Sequence, residues 1–265
     1  MSQLSRVCLV GKNEFARVFY HPLTPVIVLL LTFLAVLNGA GGTTATIGGG
    51  STEKGLYYCI GQTFMFTAVY CSVVAVFIGV VSIAEERRNH SSNIILCKPL
   101  YRRDLIAGKF LGLNAYMLTI IVYSLLLAAI ALSLFYKLPA NPVDFLLKIG
   151  IYVLIALVYS SLSLAIALWI GAVIQDLLIS TTLAVAYIFL DGYVGWTWLL
   201  PGLSNFSPRY AMCNLYISSA ANMQSTSLTI VQWFNANLVN LFFLITTVVL
   251  LCLITVIVYT KGDSI

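Results

Sequence analysis

Charge is what this sequence has least of. Asp, Glu, Lys and Arg make up 9% of its 265 residues, against 60% hydrophobic ones, and the mean hydropathy is +0.98. Period-2 alternation is missing from the long apolar runs, which excludes a membrane β-barrel. Only two histidines occur, His21 and His90, both on flanks of apolar runs, so an intramembrane Ser-His or zinc protease lacks its base or ligands. Neither G-x-S-x-G nor H-E-x-x-H is present. No phosphate-binding G-x-x-x-x-G-K-[ST] loop exists either: Gly11-Lys12 is followed by Asn13, and Gly108-Lys109 by Phe110. This chain does not bind ATP by a P-loop.

Other absences narrow the field further. The six cysteines form no C-x-x-C pair, so a tetrahedral metal site is unsupported. Cys59 and Cys213 leave a disulfide open, although buried small apolar residues are the plainer reading. No internal repeat is evident, which gives an inverted-repeat secondary transporter no support. The first apolar run starts too late, and lacks the cleavage site, for a signal peptide.

What remains is a polytopic, all-α membrane protein in a single transmembrane domain. A helix needs about 20 apolar residues to cross the hydrocarbon core. The sequence predicts six spans, at 22–38, 57–83, 110–135, 145–173, 178–199 and 238–259. Basic residues set their orientation. With both termini inside, ten of the 14 Lys and Arg fall inside, leaving Lys54, Lys137, Lys148 and Arg209 outside. The net charge of +5 is therefore mostly a topology signal and no evidence for nucleic-acid binding. The expectation is a multi-pass plasma-membrane protein with cytoplasmic termini.

Between the spans, four segments carry information. Residues 1–21 predict an interfacial helix, with Leu4, Val7, Cys8, Gly11, Phe15, Val18 and Phe19 on one arc and Arg6, Asn13 and Arg17 opposite. The Gly- and Thr-rich stretch 39–55 predicts a flexible external loop. Residues 200–237 are too apolar for a water-exposed loop and predict short re-entrant helices in the outer leaflet. The segment 84–109, AEERRNHSSNIILCKPLYRRDLIAGK, concentrates six of the 14 basic residues in one cytoplasmic loop. Within the spans themselves charge is nearly absent. Asp191 is the one acid placed to fall in the outer leaflet, either as a pathway residue or as an interface marker beside Gly192, Gly195 and Trp196. Ion-driven transport needs several titratable groups along a path, so the energy source lies outside the chain.

The residues of 84–109 carry a likeness. Glu85, Glu86, Arg87, Pro99, Arg102, Gly108 and Lys109 resemble the segment between the second and third helices of ABC-2 type export permeases. The opening run is similar to that family's N-terminal segment through Lys12, Glu14, Phe15, Arg17 and Pro22, and YTKGD to its ending. Asn89, His90, Ser91 and Ser92 depart from the Gly-Thr common after the acidic start. The resemblance implies the membrane subunit of an ATP-driven exporter, working as a homodimer on a separate cytoplasmic ATP-binding subunit. ATP and Mg would be bound, and ATP hydrolysed, by that partner, so this chain has no catalytic, cofactor or metal residues and is no enzyme. Glu85, Glu86, Arg87, Arg88, Pro99, Arg102, Arg103 and Lys109 would couple it to the ATPase, helped by Ile94, Ile95, Leu96, Leu100 and Leu105 lodged in a groove. Small residues of spans five and one, among them Ser180, Thr182, Ala184, Ala186, Thr32 and Ala35, would form the dimer seam. Uncharged spans favour an apolar or amphipathic cargo. Two other classes compete: a non-transporting membrane assembly or maturation subunit that recruits an ATPase, and an ion-coupled secondary transporter. Cargo-stimulated ATP hydrolysis separates the first from the export reading, and transport driven by a pH gradient alone would mark the second.

Overall fold

The computed structural model describes residues 3–46, 52–88, 102–135, 142–174, 176–193, 208–224 and 230–261. Of these residues 97% are helical and none lies in a strand. In chain order the described helices are α1 (Gln3–Phe19), α2 (Leu23–Thr46), α3 (Thr52–Arg88), α4 (Arg102–Phe135), α5 (Pro142–Val173), α6 (Leu177–Tyr193), α7 (Pro208–Gln224) and α8 (Ile230–Lys261).

Four of them are long and apolar enough to cross a membrane: α3, α4, α5 and α8. The bent pair α1–α2 brings the number to five. The six expected spans are thus met only in part. α2 enters the number only as half of that bent pair, and α6, Leu177–Tyr193, has 17 residues, short of the roughly 20 that a span needs. The loop expected at 39–55 is helical over 39–46 and 52–55, and only residues 47–51 lie outside the described ones. An apolar helix that has already formed extends cheaply, each added residue gaining a hydrogen bond, and this outweighs the glycines. Cys59 is buried and Cys213 half-buried, and the two form no disulfide.

α3 and α5 form the centre. α3 packs on α2, α4, α5, α6 and α7, and α5 on α3, α4, α6, α7 and α8. Phe64 stacks on Tyr152 with ring centroids 4.5 Å apart. Further along, Gly79 faces Ala167 so closely that an added Cβ would stand 2.9 Å from its methyl, and Gly171 faces Ile83. These contacts advance together along both chains, so α3 and α5 run parallel, while α4 returns antiparallel beside them. Small residues make this approach possible where lipid supplies no hydrophobic drive. Buried hydroxyls at the seam bond back to their own helices, Ser72 to the Val69 carbonyl at 2.7 Å and Ser160 to that of Leu157 at 3.0 Å.

Two ends follow. One holds α1, the last turns of α3 and α5, the first turns of α4 and the late turns of α8. At the other, α7 covers the starts of α3, α5 and α8, with Tyr216 stacked on Phe64 at 5.6 Å and Asn237 donating to Ser218 Oγ at 2.7 Å. Lys148, buried at that second end, pairs with Asp144 at 2.9 Å. Leu29, Leu30 and Phe33 on α2 and Leu238, Val239 and Phe242 on α8 face outward, as lipid-contacting surfaces do.

Candidate functional site: a charged elbow

α1 and α2 meet at 69°. The sequence dictates the bend. Pro22 and Pro25 remove two backbone donors where α1 would otherwise continue, which a helix start tolerates and a helix interior does not. The chain ends left open are then closed locally. Thr24 Oγ1 donates to the Val18 carbonyl at 2.6 Å and lies 3.1 Å from the Tyr116 hydroxyl of α4. The Thr24 amide reaches the His21 carbonyl at 2.9 Å, and His21 Nδ1 accepts from the Leu23 amide at 3.3 Å.

α1 lies against the start of α4 because neither has a side chain in the way. Gly11 faces Gly108 and Gly112. A Cβ on Gly108 would stand 2.6 Å from the Val10 Cβ, and one on Gly112 would run into the Gly11 carbonyl oxygen. Gly108-x-x-x-Gly112 is a small-residue ridge of the kind that lets helix backbones touch in membranes.

Around that contact sit three acids and three bases. Arg6 Nε pairs with Asp104 at 3.2 Å. Arg17 bridges Glu14 at 2.8 Å and Glu85, at the end of α3, at 3.3 Å. Lys109 Nζ pairs with Glu14 at 3.5 Å and donates to the Ser82 carbonyl at 2.8 Å and to its hydroxyl at 3.1 Å. Glu14, Asp104 and Lys109 are 7%, 1% and 3% exposed, so these charges are desolvated and hold one another in place. Breaking such a pair from one side typically costs about 3–5 kcal/mol, because the other charge stays buried. The cluster therefore ties α1 to both α3 and α4 at one end of the molecule.

This packing revises the expected faces of α1. Arg6 and Arg17, expected opposite the packed arc, are turned inward onto carboxylates, whereas Cys8 and Phe19 of the apolar arc are exposed. A hydrophobic arc ignores counterions; the buried acids of α1 and α4 required theirs.

The residues expected to couple to a partner separate into groups. Glu85 lies on α3, half-exposed and paired within the chain. Glu86, Arg87 and Arg88 continue the last turn of α3, and Arg102 and Arg103 begin α4; their side chains are outside the described positions. Pro99, Ile94, Ile95, Leu96 and Leu100 lie outside the described residues altogether. Lys109 and Leu105 point inward. Asp191 belongs to the last turn of α6, toward the opposite end, with its side chain not described. Arg6, Glu14, Arg17 and Asp104 complete the cluster and were absent from the expected set. The signals for them were present: Glu14 and Arg17 at i,i+3, Asp104 in a first helical turn, and the Gly108-x-x-x-Gly112 spacing.

Residues 10–263 match the family model described as ABC-2 family transporter protein. The chain belongs to the ABC-2 transporter family. The matched range takes in most of α1 and every other helix, so the elbow, its glycine contact and the ends of α3 and α4 all fall inside the family's own boundaries. Family membership and the apolar helices together make the chain a multi-pass membrane component of transport. No curated protein matches the chain significantly.

Proposed function

We propose that this ABC-2 family chain is the permease subunit of an ATP-driven exporter. Two copies form the pathway, and a separate cytoplasmic subunit that binds ATP and Mg docks at the end bearing 84–109. Membership of the family over residues 10–263 is the observation that carries the reading. In this reading both termini are cytoplasmic, the membrane is the plasma membrane, α2 and α6 complete the set of six spans, and α7 dips into the outer leaflet.

The site supports a mechanical role. A push on the link between α3 and α4 reaches Glu85, Arg17 and Glu14 at once, so α1 moves with both helix ends and the bend at Pro22 serves as the pivot. In this scheme Glu86, Arg87, Arg88, Arg102 and Arg103 meet the ATPase. Pro99 belongs to the same proposed coupling set. Charge pairs at such a contact fix register and speed encounter more than they add affinity. Lys109 acts in this scheme from within, holding the clamp closed.

The test is co-reconstitution of the full chain with its ATPase in vesicles. Replacing Glu85 and Glu86 together by Ala is expected to lower transport and cargo-stimulated ATP hydrolysis in step, while expression and assembly persist. A double variant that assembles and transports at the wild-type rate would leave 84–109 as a topology signal only. Transport driven by a pH gradient without ATP would replace the exporter reading with a secondary transporter.

A further inference from the structure

Beside the elbow runs a half-open groove of about 260 Å³ between α2, α3 and the end of α1. Its walls are Val26, Ile27, Val74, Phe77, Ile78 and Val81. Val26 and Phe77 are 53% and 48% exposed, so the open side faces where acyl chains lie. The groove surface itself is almost wholly apolar, and Arg17, His21 and Glu85 border it at its mouth, where α1 turns into α2 and α3 ends. We propose that this groove binds one membrane phospholipid whose headgroup joins a phosphate to a primary ammonium.

The charges at the mouth select that chemistry. Arg17 and Glu85 stand 3.3 Å apart with side chains 36% and 42% exposed, so both still present surface to a ligand. A purely anionic headgroup placed on Arg17 would meet the Glu85 carboxylate, and a purely cationic one on Glu85 would meet the guanidinium. A zwitterion satisfies both. Its phosphate takes remaining N–H donors of the five-donor guanidinium and the His21 ring, and its ammonium gives hydrogen bonds to Glu85. A trimethylated ammonium offers no N–H and forfeits those bonds. One acyl chain then lies along Val74, Ile78 and Val81, burying apolar surface on both sides. A site below the usual range of roughly 300–1,000 Å³ for whole small ligands suits an amphiphile whose remainder stays in the bilayer.

Binding requires neither ATP nor a second subunit, so its failure and that of the exporter reading are separate results. The full chain is purified in a mild detergent and offered equimolar ethanolamine, choline and glycerol phospholipids of matched chains, with adducts counted by native mass spectrometry. One ethanolamine lipid per chain is expected to be retained about tenfold over the choline lipid, the worth of one charge-assisted hydrogen bond. Val26→Trp, which fills the groove from an exposed position, is expected to remove the adduct. Glu85→Gln is expected to bring the ethanolamine lipid down to the choline level without changing total lipid retained, a change of preference that a merely structural Glu85 would not produce. Equal retention of the three lipids, preference for the anionic one, or an adduct that survives Val26→Trp would overturn the assignment.

Discussion

Lys109 shows how far one residue's environment can depart from its neighbourhood in sequence. It closes a segment rich in solvent-seeking charge, yet its ammonium is buried between Glu14 of α1 and Ser82 of α3. Lys109→Met keeps the length and removes the charge, leaving Glu14 with Arg17 as its one cationic partner and the Ser82 oxygens without their donor; the expected loss is about 1–3 kcal/mol, read as a fall in melting temperature in detergent. Adding Glu14→Gln should recover part of that loss, since a neutral amide costs less to bury than a carboxylate that has lost one of its two cationic partners. A double variant no more stable than the single one would mean the pair is not what holds Lys109. The Gly108-Lys109 step was legible as a family feature. Its inward direction was not, because helical phase assigns a face only once the neighbour on that face is known.

At the scale of the element, α1 depends on close approach more than on greasy contact. Gly112→Ala inserts a methyl where the Gly11 carbonyl oxygen stands, so α1 must lift from α4. The expected cost is about 1–3 kcal/mol of overpacking, with faster proteolysis of α1 as an independent readout. Gly150 on α5 is the matched control: a Cβ there meets nothing within 4 Å. Gly150→Ala should leave stability unchanged or raise it by up to about 1 kcal/mol, through lower helix entropy cost. Equal melting of both variants would refute close packing at the elbow. Of the elements, the long apolar helices were readable from composition, because about 20 uncharged residues in a row permit little else. α1 was readable as a helix and as interfacial, but its packed face was not, since Arg6 and Arg17 obey the acids of other segments. The helical extension of α2 to Thr46 was hidden by the glycines of 39–46, which local propensity scores as loop.

For the whole molecule, the two ends can be told apart by labelling. Asn13 and Asn235 are exposed at opposite ends, so single cysteines there, in a cysteine-free background, should react with impermeant reagent from opposite sides of the membrane. Reaction of both from the same side would break the fold's end-to-end arrangement. The association of two copies is testable in the same background. Ser180, Ala184 and Ala35 are buried within the chain and Thr32 lies 3.2 Å from the Tyr123 hydroxyl, so the expected seam narrows to the outward side of α6 around Thr182. Thr182→Cys should cross-link to its own copy, and Leu118→Cys on the exposed face of α4 should not. Cross-linking through α4 instead would refute the seam.

The elbow's composition has an electrical consequence. Arg6, Arg17 and Lys109 oppose Glu14, Glu85 and Asp104, so the six-group cluster sums to zero. Moving one uncompensated charge through the membrane field is worth about 2.3 kcal/mol per 100 mV, and moving a neutral block as a unit is worth almost nothing. Moving these six groups as a unit would therefore draw no work from the membrane field, and any voltage sensitivity of the motion would come from charges outside the cluster, such as Lys12 of α1. Vesicles clamped at different potentials with a potassium ionophore should show the same potential-dependence of turnover for the wild type and for Arg6→Gln with Asp104→Asn, which removes one pair and leaves the sum unchanged. Arg17→Gln alone, which leaves the cluster one negative charge in excess, should change that dependence.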